Sequence, residues 1–523
     1  MSKKSFNFFE YLLTYHRGAF ATIILIPISV VYSSYLSLRS RLVFLLNTAP
    51  KDHEKRVEKV KQQVIEWANS GSTQKLTTSR SGWFTMSELV PAYKKTNHAI
   101  EMNMRDIIYI DYQKQTIKVE PLVNMGQITA MLNQKGWTLQ VVPELDNLTV
   151  GGLINGFGIE SSSHKYGLFQ YTIASIDIIT ADGTFMHCSA TENQTLFYNI
   201  PWSHGTLGFL VCAELYIIPC SKFVELTYQP IYGLDNIVQK FEDASRNKEY
   251  QFIELLQYSR DEAVLMTGNF AKDAFDRSKI NRIGRFYKPW FYKQVEKFLK
   301  NNSTSVEYIP LRDYYHRHTR SLFWEMEEVI PFGNSLWFRY LLGWALPPQL
   351  SLMKYFETET TRALREKHHV VQDMLMPISL FKKSLLYFEE HYQVYPLWVC
   401  PMAVKAYPNN IGFIHPYHKD NGEYDELFVD IGAYGSPKQI NFDGNTSLAK
   451  LENFVIDNHG YQALYARTLM NKEQFRRMFS HLSYDALREK LPLCSRAFSE
   501  VYDKVGGTAR VAPVTYKKIK ETN

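Results

Sequence analysis

Near the N-terminus, the eighteen consecutive residues from Ala19 to Leu36 (AFATIILIPISVVYSSYL) carry no charge. That is long enough for a tilted or slightly short membrane span, so the pattern predicts an anchoring helix. A cleaved signal peptide and a buried helix are the alternatives. Against the first, the run is long and no small-x-small cleavage site closes it before Arg39. Against the second stand Pro27 in its middle and its basic flanks. From Lys51 to Ser70, apolar residues recur at Val57, Val60, Val64 and Ala68, the stripe of one helical face. A polar loop, TTSRSGWFT, follows at Thr77 to Thr85. Two alternating runs, Ile107 to Asp111 and Thr116 to Glu120, read as a hairpin. Met125 to Gly136 reads as an amphipathic helix stopped by its glycine. In SIDIITADGTFMHCS, Asp182-Gly183 stands between two alternating runs, a tight-turn signal. NQTLFYNIPWSHGTLGFLVCAELYIIP then reads as a helix, a small-residue turn at Ser203 to Gly208, and a strand ending at Pro219. Residues 51 to 219 thus form one α+β unit. Beyond 221, alternating runs such as ELTYQPIYG mix with helical stretches such as KQVEKFLKN and SLAKLENFVIDNHG, a second α+β portion suited to cap the first.

With 523 residues, 45% of them hydrophobic and 14% aromatic, the chain has material for two or more cores. Its net charge of +6 is small and scattered, which speaks against nucleic acid as a partner and leaves a membrane surface. Five cysteines without Cys-x-x-Cys or Cys/His spacing predict reduced thiols and no metal site. Lys3, Lys4 and Arg17 precede the apolar run, while Arg39, Arg41, Lys51, Lys55 and Arg56 follow it; the heavier trailing charge predicts that the body faces the cytosol. On that topology the Asn-x-Ser/Thr matches at Asn147, Asn193, Asn301, Asn302 and Asn445 receive no glycan.

The stretch TVGGLINGFGIESSSHKYG, residues 149 to 167, is the candidate for binding chemistry. Its glycines let backbone amides approach a ligand and form an anion-binding concavity, as a pyrophosphate requires. A tight packing turn is the other reading. The dinucleotide fingerprint Gly-x-Gly-x-x-Gly is absent in register.

Taken in order, EPLVNMGQITAML, VVPELDNLTVGGLINGFG, HKYG, IDIITADGTF and LFYNIPWSHGTLGFLVCAELYIIP resemble the flavin domain of the vanillyl-alcohol oxidase and p-cresol methylhydroxylase superfamily. Within it, PELDNLTVGGL, GIESSSHKYGLFQ, PWSHGTLGFLV, YKPWF, IPLRDYYHRHTRS, HHVVQDML and DIGAYG resemble the delta-24 sterol reductase family, from about residue 40 to about 505. The resemblance implies a two-subdomain FAD-binding domain (residues 44–220), an α+β substrate cap with the C-terminal region (221–523), and the membrane anchor (1–43). It implies FAD along Thr149, Val150, Gly151, Gly152, Leu153, Ile154, Asn155, Gly156, Phe157, Gly158, Ile159, Glu160 and Ser161, with Arg80 and Gly82 in a second phosphate-side loop. Where covalent relatives carry a flavin-linking His, this chain has Arg80-Ser81-Gly82-Trp83, so the FAD is expected to be noncovalent. NADPH as reductant, a side-chain alkene of a membrane sterol such as desmosterol as substrate, and the endoplasmic reticulum membrane, with the Golgi as a second location, follow from the same resemblance. An oxygen-using oxidase of the superfamily and a non-catalytic sterol-binding protein are the rival readings.

Reduction of an unpolarised alkene requires an acid. The densest run of candidate donors is Tyr314, Tyr315, His316, Arg317 and His318, with Arg320 and Glu325 beside them; these groups predict either the proton donor, a grip on NADPH phosphates, or a polar interface between domains. Asn334 to Phe356 and Tyr287 to Lys293, rich in aromatics flanked by Arg and Lys, read either as a membrane-interface patch or as core.

Overall fold

The computed structural model describes residues 12, 16–81, 84, 91–348, 354, 357–417 and 425–506. Lys3, Lys4, Gly82, Trp83 and residues 349–353, 355 and 356 of the aromatic stretch lie outside the described residues.

One apolar helix, Gly18–Leu45, opens the chain and is long enough to cross a membrane. Its outer face shows Ile23, Ile28, Val31 and Leu38, while Phe20, Ala21, Leu25 and Ile26 are buried against the body. Pro27 lies inside this helix, directly after the π-helical turn Ala21–Leu25, where Ile26 N–H already reaches back to Ala21 O and the ladder is locally widened. At its far end the helix is fastened electrostatically. Arg39 pairs with Asp106 at 2.6 Å, and Arg56 reaches both Asp106 (3.0 Å) and Glu120 (2.8 Å). Both carboxylates are buried; Asp106 is shared by the two arginines, and Glu120 also has His53 Nδ1 at 2.9 Å, so these groups form one network.

The helix Ala49–Asn69 follows and buries Val60, Val64 and Trp67, the predicted stripe. Two short parallel strands, β1 (Leu76–Thr78) and β2 (His98–Ile100), come next. A six-stranded antiparallel sheet then collects β3 (Ile107–Asp111), β4 (Thr116–Val119), β5 (Trp137–Leu139), β6 (Ile173–Ile179), β7 (Phe185–Ser189) and β8 (Phe209–Pro219). β8 is its hub, pairing with β4, β5 and β6. Asn124 caps the helix Met125–Leu132, and Gly136 ends the turn after it at φ +76°, a conformation that L side chains rarely adopt. The hairpin around Asp182-Gly183 and the helix Gln194–Asn199 also fall where the hydrophobic pattern put them.

The second part of the chain builds an eight-stranded antiparallel sheet from β9 (Phe223–Tyr232), β10 (Phe252–Ser259), β11 (Glu262–Ala271), β12 (Ser305–Pro310), β13 (Val370–Pro377), β14 (Leu397–Lys405), β15 (Asp425–Gly435) and β16 (Tyr461–Gln462), in the order β12-β9-β11-β10-β14-β15-β13-β16. After it the chain returns to the first sheet. Tyr484 Oη lies 2.8 Å from Thr206 Oγ1, Arg496 donates to Ala68 O, and Lys504 donates to His204 O at 2.5 Å.

The two aromatic stretches part company. Trp290, Phe291 and Tyr292 are core while Tyr287 is exposed, so Tyr287 to Lys293 is part core and part surface. Leu336, Trp337, Tyr340, Leu341 and Trp344 are each more than half exposed, and Tyr287 stacks on Tyr340.

Candidate active site

A cavity of about 830 Å³ lies between the two sheets and is lined by both, by the returning C-terminal segment, and by Phe20, Ala21 and Leu25 of the N-terminal helix. It is at the upper end of the size usual for a ligand site. Its two regions differ in chemistry.

In the first region the glycine stretch forms a wall. Thr149 caps the short helix Val150–Asn155 through Gly152 N–H, and Asn155 Oδ1 accepts from Gly205 N–H at 3.0 Å, tying this wall to the Ser203–Gly208 turn. The glycines do different work. A Cβ on Gly151 would meet Pro121 Cβ at 2.8 Å, and one on Gly158 would meet Phe169 and Leu153, so these two serve packing. A Cβ on Gly152 would meet only Thr149 Oγ1, at 3.1 Å; it would otherwise project into free space. Thr149 to Ile159, apart from Val150 and Ile154, line the cavity together with Arg80. Val150 and Ile154 point into the core, and Glu160 and Ser161 are turned away toward the cap.

Three cations that sequence distance separates meet on this wall: Arg80, Lys94 and Lys504. Lys94 donates to Thr78 O and Oγ1, Lys504 to His204 O, and Arg80 to Phe84 O. Among the described residues none has an acidic partner within ion-pair distance. Burial, with Lys504 and Arg80 nearby, pushes the Lys94 ammonium down to about 7, and burial pushes Lys504 down to about 8. His204, also lining, is pushed down to about 3 by burial, and its Nε2 is buried without a partner. Half-buried cations without counter-charge beside an orphan ring nitrogen and a side-chain-free backbone fit an anionic, phosphate-bearing ligand.

The second region is aromatic and acidic. Phe323, Trp398, Tyr434, Tyr465 and Leu464 line it with Glu144 and Asp373. Tyr434 Oη donates to Asp373 Oδ1 at 2.5 Å and Tyr465 Oη donates to Oδ2 at 2.8 Å. Burial raises Asp373 to about 6 against the pull of these bonds. Asp430 stands behind it with both carboxyl oxygens buried and unpartnered, and burial raises Asp430 and Glu144 well above the carboxylate range.

None of Tyr314, Tyr315, His316 and His318 lines this cavity. Tyr314, Tyr315 and His316 are spent on the joint between the two parts of the chain, and His318 on a contact within the second part. Tyr314 Oη lies 3.0 Å from Ser161 Oγ; Tyr315 Oη accepts from Thr138 Oγ1; His316 pairs with Asp146 at 2.5 Å; His318 Nε2 lies 3.3 Å from Glu254. Arg317, fully buried, bridges Glu160 at 2.6 Å and Glu254 at 2.7 Å. Burial holds His318 below its ordinary value and both tyrosines far above theirs. The geometry therefore favours the interface reading of this segment over a donor in contact with a bound molecule. Of Asp373, Tyr434 and Tyr465, only Tyr434 carries a local pattern in the chain. In DIGAYG, Asp430, Gly432 and Tyr434 alternate onto one face of β15, and Asp373 is the register partner of Gly432.

Residues 62–189 match the family described as FAD binding domain. The Delta(24)-sterol reductase of Rattus norvegicus is 50% identical over 501 residues, 96% of this chain and 95% of that protein, and that of Homo sapiens matches to the same extent. A Delta(24)-sterol reductase homolog of Caenorhabditis elegans is 38% identical over 515 residues, 96% of each chain. The chain belongs to the Delta(24)-sterol reductase family. As a member of that family, and of the wider vanillyl-alcohol oxidase and p-cresol methylhydroxylase superfamily, it is an FAD-binding oxidoreductase. The cationic wall is the part of the cavity whose residues suit the cofactor's pyrophosphate. The matched residues 62–189 include Arg80, Lys94 and the glycine wall but not Lys504, which the C-terminal return brings in.

Proposed function

We propose that the protein is a membrane-anchored, FAD-dependent reductase that uses NADPH to saturate the bond between carbons 24 and 25 in the side chain of a sterol such as desmosterol. The observation that carries this reading is the single cavity with a cationic, side-chain-free wall at one region and an apolar, aromatic wall with an acid cluster at the other. FAD, when bound, supplies hydride-transfer chemistry. Arg80, Lys94 and Lys504 neutralise its phosphates, and the bare backbone at Gly152 lets them approach. Phe323, Trp398 and Leu464, with Phe20 and Leu25 of the anchor, exclude water from the sterol side chain, so that a proton delivered there is not lost to solvent.

The body of the protein faces the cytosol on this reading, with the anchor in the endoplasmic reticulum or Golgi membrane. The exposed row Leu336, Trp337, Tyr340, Leu341 and Trp344 rests in the interfacial layer beside the apolar helix, a composition suited to that depth. Microsomes containing the protein, given a 24-dehydrosterol and NADPH, should form a product heavier by two hydrogens, and anaerobic NADPH should bleach the bound flavin. Bleaching by an alcohol substrate with NADPH inert would favour an oxidase instead. A purified protein without flavin would refute both enzymes.

A further inference from the structure

We propose that Asp373, acting through the phenol of Tyr465 and held by Tyr434, is the general acid that protonates the substrate alkene. The inference rests on the reductase reading above and names the residues that perform its proton step.

Four observations converge on this trio. All three side chains line the cavity, unlike the Tyr314 to His318 segment. Both oxygens of Asp373 are engaged by phenols, at 2.5 and 2.8 Å, and Tyr465 is the least buried of the three, its flank open to the cavity. The backbone makes room for the arrangement. Gly432, register partner of Asp373 across β13 and β15, carries no Cβ, and one placed there would fall 2.5 Å from Tyr434 Oη and 2.8 Å from Asp373 Oδ1. Finally, the surroundings favour a protonated carboxyl. Asp430 and Glu144 are the other acids in the field of Asp373, with Arg317 acting on Glu144; among the described residues neither Asp430 oxygen has a side-chain partner, and no lysine or arginine is paired with Asp373. Three buried carboxyls this close cannot all ionise, so the cluster holds protons near neutral pH.

The step balances as follows. With Asp373 protonated, the Oδ2 to Oη bond reverses and Asp373 donates to Tyr465. The Tyr465 O–H bond breaks as the alkene π pair forms the new bond from carbon 24 to hydrogen, and the Asp373 proton moves to Tyr465 Oη. Carbon 25, left as a tertiary cation, accepts the hydride that originates in NADPH. Asp373 ends as a carboxylate, which the two phenols stabilise by donating to it, and solvent restores its proton between turnovers. A charge-accepting site of this kind lowers the barrier because its donors are already in place.

The test uses the flavin-loaded full-length protein in detergent or lipid. The variants are Asp373→Asn and Tyr465→Phe, with Gly432→Ala to part the pair sterically. Each is first reduced anaerobically with NADPH, then mixed with a 24-dehydrosterol while flavin reoxidation is followed. Asp373→Asn should keep its flavin and its bleaching by NADPH, yet reoxidise ~100-fold or more slowly, the range usual for a general acid. Tyr465→Phe should slow the same phase. In flavin-free protein below about pH 6, the infrared carbonyl band of protonated carboxyls should lose one component in Asp373→Asn. Reoxidation near the parent rate in both Asp373→Asn and Tyr465→Phe, or an unchanged carbonyl band, overturns the proposal. If Asp373→Asn fails to retain flavin, Tyr465→Phe decides. A parent protein that NADPH cannot bleach, or that sterol cannot reoxidise, fails earlier and removes the reductase reading itself.

Discussion

Replacing Lys94 with methionine should have opposite effects on the empty and the loaded protein. In the flavin-free protein Lys94 is a half-buried cation whose pKa falls from 10.5 to about 7. That drop represents ~5 kcal/mol set against its charged form, and the two hydrogen bonds to Thr78 return ~1 kcal/mol each, so methionine should stabilise the flavin-free protein by ~3 kcal/mol. The sign of the pH dependence follows. Between about 7 and 10.5 the unfolded chain holds more protons than the folded one, so the parent's stability climbs with pH across that window and is lost again as pH falls toward 7. Lys94→Met should flatten this climb. In the loaded protein the same cation finds its counter-charge, and a charge-assisted contact contributes ~1.5–3 kcal/mol, or ~10–100-fold in affinity. Titrating flavin-free protein with FAD by fluorescence quenching, beside urea unfolding without FAD, measures both effects. Lys504→Met should behave alike, with a smaller stabilisation because its pKa falls only to about 8. Variants that bind FAD as the parent does, and gain no stability without it, would refute the anion-wall reasoning.

Gly152→Val should fold but lose flavin, because its side chain projects into the cavity, whereas Gly151→Val should lose stability first by striking Pro121; absorbance per mole and thermal melting separate the two, and a flavin-replete Gly152→Val would remove this wall from the cofactor site. His369, held by Glu325 at 2.8 Å and Glu328 at 3.1 Å, has its pKa raised to about 10, so its stabilising contribution is complete below its ordinary 6.5 and fades as pH rises to 10; His369→Gln should therefore melt lower than the parent at neutral pH and converge with it in alkali. Deleting residues 1–40 should leave partial attachment to liposomes, and adding Trp337→Ala and Trp344→Ala should release the remainder in a flotation assay; complete release by the deletion alone would deny the aromatic row a membrane role.

Regular elements were readable from the chain because their periodicity is local. The stripe through Val60 and Val64, the hairpin at Asp182-Gly183 and the stop at Gly136 each depend on neighbours within a few residues. The glycine wall was readable too, though not which glycine faces ligand and which faces Pro121, since that depends on a contact 30 residues upstream. Lys504 and Lys94 join only through the C-terminal return, and no spacing rule links them. The run Tyr314 to His318 drew attention by the density of its titratable groups. Density along a chain does not distinguish an interior joint from a site, and Arg317 between Glu160 and Glu254 shows that charge there is consumed internally. The acid cluster lies instead on strands β13 and β15, whose polar residues are diluted by the apolar alternation around them.

Phe20, Ala21 and Leu25 make the apolar N-terminal helix a wall of the cavity, and on the proposed reading that wall is also the tether. A sterol that enters along such a wall moves from hydrocarbon to hydrocarbon, so dehydration contributes little to its binding and discrimination falls to shape and to the acid cluster. Its effective concentration is then a mole fraction in lipid. Diluting the vesicles with buffer should leave the rate per enzyme unchanged, whereas diluting the sterol with additional phospholipid should lower it, and a version cut free of the helix should lose this behaviour together with part of its chamber.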